Sequence, residues 1–338
     1  MSIFISIVSY CDSLLGFTMR EAYDKAAWPD DLHFAVIDQS PPDAPSLVPT
    51  HIPPRQISYI RIDAKVARGC SWARGVAMSC YRDQDWYLQI DSHTMFEQDW
   101  DATLVKKAQA CMHFSQNCVL SSYPIGFTWA YGVATPDSSA QRLLATVVKP
   151  GTAFDDPSSP VLSFTSRDLS GLGAVVGFHL SGGFIFTSGD FVYKFPWDPF
   201  LYFNEEEQSM AMRLYTHGWD IYHVLGVPLF HLYVPPTGAI ARPLAWDPQT
   251  AGPDAEPPLW VTLSKRARKR MATLFWGDSS ELGVHGLGDE RSLKDFAEFC
   301  GIDYRKRTLD PKAYHGEWDR PAPPPMPPAP RPREISGS

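Results

Sequence analysis

The chain has 338 residues, enough for one large domain or two smaller ones, and its 44% hydrophobic and 13% aromatic residues can build a sizeable core. Its 38 acidic and 30 basic side chains give a formal net charge of −8. This balance argues against a protein that coats nucleic acid, because such proteins are basic overall, but it leaves a local basic face open.

The N-terminal residues and the cysteines predict where the protein resides. The apolar run at residues 3–9 follows no basic stretch and is too short to cross a membrane. None of the six cysteines forms a CxxC pair, and their spacing matches no disulfide scaffold, so we expect reduced thiols. The sequence therefore predicts a cytoplasmic protein without a membrane anchor.

Strands and helices alternate over about the first 125 residues. This pattern predicts an α/β layer with a mainly parallel sheet, in which ligands bind at the carboxyl ends of the strands. Polar groups stand at three of those ends, at residues 9–12, at Gln39 and at residues 91–93. The predicted strands cover residues 3–9, 32–38, 56–62, 86–90 and 118–122, and the predicted helices cover 17–27, 68–81 and 98–113.

The second half of the chain is less regular. Residues 126–180 are rich in small and turn-forming residues and have weak periodicity. After them we predict strands at 181–187 and 220–224, a helix at 205–217, a Pro-rich loop at 235–258 and a helix containing the basic run 265–270. These features predict a domain over 1–235, a region over 236–319 packed on it, and a disordered Pro-rich tail over 320–338.

The sequence Asp91-Ser92-His93 directly follows a predicted strand. A carboxylate and an imidazole two residues apart at the end of a rigid strand can bind one divalent cation together. Oxygen and nitrogen ligands suit Mn²⁺, and Mg²⁺ is an alternative. The same pattern also occurs as a hydrogen-bonded turn, so the motif alone leaves both interpretations open.

Three further positions are candidates for chemistry. Arg74 lies one helix upstream, after a glycine that would allow close approach to a ligand, but it could equally be a solvent-exposed arginine of an amphipathic helix. The carboxylates at residues 205–207 could bind hydroxyl groups, or could simply favour a helix start. His231 becomes functional only as a third ligand beside Asp91 and His93.

The order of several segments resembles that of the cytoplasmic protein-hydroxyproline α-N-acetylglucosaminyltransferases, and more distantly that of the mucin-type polypeptide N-acetylgalactosaminyltransferases. The likeness runs from about residue 3 to about residue 235, and QIDSH is its most specific element. The segments are IFISIVSYCD, A-R-G-x-x-x-A-R, YLQIDSH, SGGFIF, an acidic cluster leading into RLYTHGWD, and LFHLY.

The resemblance implies a GT-A fold, a UDP-sugar donor (UDP-GlcNAc first) and retention of the anomeric configuration. It implies Asp91, His93 and His231 as ligands of the divalent metal. Glu205 or Glu206 would bind the sugar or the acceptor and, with Asp91 and His93, form the catalytic set. The implied donor contacts are Ser9, Tyr10, Asp12, Gln39, Arg74, Ser92, Gly182 and Gly183.

The sequence departs from the family at Cys11, where the relatives have Arg, at Cys70, where they have Pro, and at Asn204, where they have Gly. The first two departures bear on phosphate or nucleotide contacts, and the third on acceptor geometry. None of the three removes an implied metal ligand.

Three functions remain open from the sequence. The resemblance favours transfer to a hydroxyl group of a protein. A second possibility is transfer to a hydroxymethylated base in DNA, for which the basic run 265–270 and residues 305–307 could hold a phosphate backbone. That run could also be a solvated helix face. A third possibility is a non-catalytic protein that binds a nucleotide-sugar, against which the retention of all three implied ligands argues.

Overall fold

The computed structural model describes residues 1–233, 243–244, 246 and 259–316. Most of the predicted loop at 235–258 and the whole predicted tail at 320–338 lie outside the described residues. The first elements are β1 Ile3–Tyr10, α1 Leu15–Asp24, β2 Leu32–Gln39, β3 Ile57–Ile62, α2 Cys70–Met78, β4 Trp86–Asp91, β5 Thr94–Phe96, α3 Trp100–Met112 and β6 Cys118–Leu120. This alternation is the one that the sequence predicts.

The second half continues with strands more often than with helices. Its elements are β7 Ile125–Ala130, β8 Val133–Pro136, β9 Leu144–Val148, β10 Phe164–Asp168, β11 Ala174–Gly177, β12 Phe184–Ser188, α4 Phe191–Lys194, α5 Glu206–Thr216, β13 Asp220–Val224 and β14 Leu229–His231. The C-terminal part comprises α6 Leu259–Trp276, α7 Leu293–Cys300, β15 Ile302–Asp303, β16 Thr308–Leu309 and α8 Lys312–His315.

The main sheet has eight strands in the order β11-β13-β6-β12-β4-β1-β2-β3. The strands β1, β2, β3 and β4 pair in parallel, and β13 pairs in parallel with β6. Two strands run antiparallel, β12 between β4 and β6, and β11 at the edge. The predicted α/β fold with a mainly parallel sheet is therefore confirmed.

The register of the central strands brings their polar ends together. Tyr10 at the end of β1 pairs with Gln39 at the end of β2, and Val8 pairs with Asp91 at the end of β4. The carboxyl ends of three neighbouring strands therefore form one edge, as the order of strands and helices predicts.

Residues 125–177 contain five strands that the sequence analysis did not predict. They are short, and β8 is largely exposed, so they lack the alternation of buried and exposed residues that marks a strand. Two of them, β7 and β8, belong to a second sheet of order β5-β14-β7-β8, in which His231 pairs with Thr94 and with Gly126. This small sheet brings His231 beside the turn that carries His93.

The main sheet is covered on both faces. Side chains of β1 alternate between the faces, with Ile3, Ile5 and Ile7 packed in one hydrophobic cluster and Phe4 in the other. The first cluster contains residues of α1, α3, α6 and α7, and the second contains residues of α2, α4 and α5. Within the described residues, none of the helices has the length and apolar character needed to cross a bilayer.

The helix α6 is the predicted helix that contains the basic run 265–270. Its apolar face packs into the first hydrophobic cluster through Ala267 and Met271. The C-terminal region thus shares a core with the sheet. The division of the chain at residue 235 stays a prediction.

We expect Met271→Ala to lower the free energy of unfolding by about 2–5 kcal/mol, because it removes a side chain with no solvent exposure from the core. Arg268→Ala, at an exposed position of the same helix, is the matched control and should change it by less than about 0.5 kcal/mol. Denaturant unfolding should show one transition. Two transitions, with Met271→Ala moving one of them, would mean that α6 belongs to a separate folding unit.

Candidate active site

Asp91, His93 and His231 converge at the carboxyl edge of the sheet. Nε2 of His231 lies 3.0 Å from Oδ2 of Asp91, and Nε2 of His93 lies 3.9 Å from the same oxygen. The two imidazole rings meet edge to face, with centroids 4.7 Å apart. One ligand atom from each residue lies within 4.8 Å of the others, so these three side chains could hold one metal ion.

Backbone and hydroxyl contacts fix the turn that carries this cluster. The hydroxyl of Thr18 in α1 donates to the carbonyl of Ser92 at 2.9 Å and accepts from the N–H of Thr94 at 2.8 Å. The N–H of Leu232 donates to the carbonyl of His93 at 3.1 Å. The turn is therefore held by a helix on one side and by the small sheet on the other.

Asp12 orients His93. Its Oδ2 lies 2.7 Å from Nδ1 of His93 and accepts a hydrogen bond from the hydroxyl of Ser92 at 2.8 Å, and its Oδ1 accepts from the N–H of Leu14 at 2.9 Å. Burial opposes ionisation of this carboxyl, but these hydrogen bonds and the imidazole outweigh burial and lower the pKa of Asp12. The carboxylate–imidazole pair leaves Nε2 of His93 directed at the cluster.

Arg74 is buried, so its interpretation as a solvent-exposed arginine is wrong. Its guanidinium forms an ion pair with Glu206, contacts Oδ1 of Asp91 at 3.2 Å, and donates to the carbonyl of Gly182 at 3.1 Å. The guanidinium also lies over the ring of Trp197 at 5.3 Å. Arg74 therefore links the strand end, the glycine pair and the acidic helix.

Asp91 is ionised by its neighbours. Burial opposes its negative charge, but the hydrogen bond with His231 and the positive charges of the histidines and Arg74 dominate and lower the pKa of Asp91 well below its usual range. The oxygen nearest the histidines is Oδ2, while Oδ1 faces Arg74. Oδ2 of the carboxylate thus faces the histidines, and Oδ1 is held by Arg74.

The acidic cluster is arranged differently from the prediction. Because α5 begins at Glu206, Glu205 stands before the helix, where its carboxylate accepts from the N–H of Phe203 at 3.1 Å. Glu206 and Glu207 both line the cavity described below, and Glu205 is not among its lining residues. The role predicted for Glu205 or Glu206 stays a prediction, and the structure adds Glu207 as a neighbour of the same cavity.

Glu207 holds the glycine pair from the other side. Its Oε1 accepts from the N–H of Gly182, whose carbonyl accepts from Nε2 of Gln89 at 2.8 Å. Burial, opposed by the Gly182 N–H and assisted by the nearby charge of Glu206, raises the pKa of Glu207 to about 7. Sequence reasoning missed this residue, because three glutamates at a helix start are accounted for by the helix dipole.

The predicted glycines are required by close packing. A Cβ atom on Gly183 would lie 3.1 Å from Oδ2 of Asp91, and one on Gly182 would lie 2.8 Å from Arg74. A larger residue at position 183 would therefore crowd the side chains of Asp91 and His231. This packing keeps room beside the three candidate ligands.

A cavity of about 850 Å³ lies over this cluster. Eleven of the predicted site residues line it, and Gly182 lies behind the wall. The eleven are Ser9, Tyr10, Asp12, Gln39, Arg74, Asp91, Ser92, His93, Gly183, Glu206 and His231. The cavity also has lining residues that the sequence analysis did not select, among them Tyr123, Lys149, Ser163, Phe164, His179, Tyr202, Phe203, Tyr233 and Trp246.

Two departures from the family pattern have clear positions. All six cysteines are free thiols. Cys70 begins α2 and lines the cavity, with its N–H donating to the carbonyl of Tyr202 at 3.1 Å. Gly69 before it has φ 96°, and a Cβ there would lie 2.1 Å from that same carbonyl. Cys11 adopts φ 48° after β1, and its N–H donates to the carbonyl of Gln39 at 3.0 Å.

Among solved structures, the chain is similar to GalNAc-T7 crystallised with UDP, GalNAc and Mn²⁺. The TM-score is 0.52 at 15% identity, covering 88% of this chain and 54% of that chain, so this chain spans about half of that one. It is also similar to residues 1–349 of S. aureus TarS, with a TM-score of 0.40 at 14% identity over 69% of this chain and 60% of that chain. The sequence comparison with curated proteins gave no match.

The likeness to GalNAc-T7 concerns the fold, which is the GT-A fold that the resemblance implies. The narrower likeness to hydroxyproline-specific enzymes stays a prediction. A family model described as "Glycosyltransferase (GlcNAc)" matches residues 48–306, well over half of the 338 residues. The span includes α2, β4, the glycine pair, α5, β14 and most of the C-terminal helices. This chain belongs to the glycosyltransferase (GlcNAc) family.

Proposed function

We propose that this protein is a metal-dependent, retaining glycosyltransferase that moves N-acetylglucosamine from UDP-GlcNAc to a hydroxyl group. The observation that carries this proposal is the convergence of Asp91, His93 and His231 beside Gly183, under a cavity at the carboxyl edge of a mainly parallel sheet. Ligands bind at this edge in open α/β sheets.

The three side chains suit a divalent cation. One carboxylate oxygen and two imidazole nitrogens are a donor set for a borderline metal, so Mn²⁺ is favoured over Mg²⁺. When bound, such a cation would offset the negative charge that develops on the departing UDP. The GalNAc-T7 crystals contain UDP, GalNAc and Mn²⁺, which supports a UDP-sugar donor and a divalent cation here.

The remaining groups of the cavity divide into two ends. Ser9, Tyr10 and Gln39, at the ends of β1 and β2, would contact the uridine end of the donor. Ser92 lies in the turn below them, and its hydroxyl is committed to Asp12. Arg74 is buried against Asp91, so it would keep that carboxylate ionised and aligned rather than touch the phosphates.

Glu206 and Glu207 line the cavity next to the glycine pair, where the donor sugar would lie. Burial raises the pKa of both carboxyl groups, although Arg74 opposes the shift at Glu206. At neutral pH the Glu207 carboxyl would therefore be partly protonated, so it could donate a hydrogen bond to a sugar hydroxyl or accept one from it. This property suits a group that binds hydroxyls.

The reaction would need no dedicated protein base. The acceptor oxygen would attack the anomeric carbon from the face that UDP leaves, and the bond from that carbon to the phosphate oxygen would break. The departing phosphate oxygen would take the acceptor's proton. Catalysis would then rest on positioning and on charge stabilisation by the residues around Asp91. The full set of candidate ligands disfavours a non-catalytic sugar-binding protein.

The sequence resemblance makes a protein hydroxyl the expected acceptor and the cytoplasm the expected location. The catalytic unit would comprise residues 1–235, with residues 236–319 packed on it. The shared hydrophobic cluster of α1, α3, α6 and α7 supports this packing.

Asp91→Asn should abolish Mn²⁺-dependent transfer, because it removes the charge that the cation needs while keeping the shape of the side chain. We expect UDP release from UDP-GlcNAc to fall about 100-fold or more. The exposed Asp289→Asn is the matched control. Screening UDP-GlcNAc, UDP-GalNAc and UDP-glucose tests the sugar, and activity of Asp91→Asn that a chelator does not affect would contradict the proposal.

Asp12→Asn should weaken cation binding about 10–100-fold without unfolding the protein, because it loosens the orientation of His93. Calorimetric titration with Mn²⁺ in the presence of UDP measures the effect. Circular dichroism verifies the fold of the variant. An unchanged affinity would show that His93 is oriented by other contacts or does not bind the cation.

Glu207→Gln should change how stability depends on pH. The pKa of Glu207 is raised from 4.5 to about 7, so the native protein binds the proton more tightly than the unfolded chain does. The stability of the unsubstituted protein should therefore fall as pH rises from about 4.5 to 7, by about 3 kcal/mol attributable to this group, since each pKa unit corresponds to about 1.4 kcal/mol. Glutamine does not titrate. The difference in free energy of unfolding between the variant and the unsubstituted protein should therefore shrink toward low pH. A constant difference would contradict the assignment.

A further inference from the structure

A cluster of cations lies at the edge of the cavity, outside the site described so far. It comprises Arg68, Lys265, Arg266, Lys269 and Arg270, which we call the basic rim. Arg68 precedes α2, and the other four belong to α6.

One side of the basic rim contacts the segment that forms a cavity wall. The guanidinium carbons of Arg266 and Arg270 each lie 4.9 Å from the centroid of the Phe200 ring. Two residues later this segment lines the cavity through Tyr202 and Phe203. The side of α6 that carries Arg266 and Arg270 therefore packs on the segment that leads into the cavity wall.

The other side of the basic rim reaches the start of α2. Arg68 stands between Ala67 and Gly69, both of which line the cavity. Burial and the nearby charge of Arg68 lower the pKa of Arg266, while the charge of Asp198 acts in the opposite direction. Like charges in the same neighbourhood repel each other, so an anion bound beside them would be stabilised.

The positive charge of the basic rim has little compensation. Asp198 forms an ion pair with Arg270. Across residues 1–233 and 259–316, Arg68, Lys265, Arg266 and Lys269 form no ion pair, and Nε of Arg266 is buried without a hydrogen-bond partner. A protein with a net charge of −8 thus places, within the described part of the chain, four cations without an ion pair close to the wall of its candidate active site.

Aromatic rings stand among these cations. Phe200 is 44% exposed and Phe203 is 45% exposed, and Phe203 meets Trp246 edge to face at 5.0 Å. Cations alternating with exposed rings form the type of surface that binds single-stranded nucleic acid, because phosphates pair with the cations and bases stack on the rings. An acidic peptide would use the charges but has no planar bases for the rings.

We propose that the basic rim binds the phosphate backbone of a single-stranded nucleic acid, and that a hydroxyl group of this strand is the acceptor that enters the cavity. This inference rests on the proposed function, and it replaces the protein hydroxyl, which the resemblance makes the expected acceptor, with a hydroxyl group of a nucleic acid. The strand would lie along α6, cross Phe200 and Phe203, and turn one nucleotide toward the sugar side of the cavity. Turning a nucleotide out of line costs least in a strand that is not paired.

The binding test uses the full chain and a fluorescent oligothymidine of roughly 12 nucleotides, within the usual site size for such strands. We expect anisotropy to show binding, with a log–log salt slope of about −2 to −3, because three or four phosphates would be neutralised. The double variant Arg266→Gln with Lys269→Gln should bind about 10-fold more weakly, and its slope should be shallower by about 1. Lys106→Gln, at an exposed lysine of α3, is the matched control and should leave both values unchanged.

A second variant tests the rings separately from the charges. Phe203→Ala should weaken oligonucleotide binding about 10-fold without changing the salt slope, since stacking involves no counterion release. Absence of oligonucleotide binding at low salt would overturn the inference, and so would equal binding of a polyglutamate peptide with the same charge. Titration of UDP and Mn²⁺ in the same preparations separates the two proposals. Normal donor binding with no oligonucleotide binding refutes the acceptor alone, whereas loss of donor binding refutes the proposed function.

Discussion

One half-buried carboxylate organises the site. Asp91 is shared between Arg74, which approaches from the helix α2, and His231, which approaches from the small sheet. A charge taken out of water is tolerated only where opposite charges and hydrogen bonds compensate its desolvation, and here those partners come from two other elements, α2 and β14. The positions of α2, β4 and β14 are therefore constrained by the same negative charge.

This constraint explains why the surrounding residues either are glycines or have their polar atoms engaged in hydrogen bonds. Gly182 leaves room for the guanidinium of Arg74, and Gly183 leaves room for Asp91 and His231. Asp12 has both oxygens engaged in orienting the turn, and Glu207 fixes the glycine pair through its backbone. Few of these groups are free to rearrange, so the cavity is preorganised by the fold before any donor enters.

Part of this arrangement could be predicted from the sequence. The strand at residues 86–91 and the polar residues after it are recognisable because a fully buried strand is a continuous apolar run with a polar end. The pairing of Tyr10 with Gln39 follows from the parallel order of the strands. The inclusion of His231 did not follow from pattern, since it depends on contacts between residues 140 positions apart, and it came from the family resemblance. The strands of residues 125–177 are too short and too exposed to give a period. Glu207 was missed because the helix dipole accounts for acidic residues at a helix start, and the sequence does not show which of three successive carboxylates faces the cavity.

The candidate ligands belong to two different sheets: Asp91 ends a strand of the large sheet, whereas His231 lies in the four-stranded one. Anything that binds both side chains at once adds a cross-link between two sheets that the chain already connects after β4, β6 and β13. Binding of such a ligand should slow the amide hydrogen exchange of β5, β7 and β14 together. Hydrogen exchange in the small sheet would therefore report whether a ligand occupies the site at Asp91, His93 and His231.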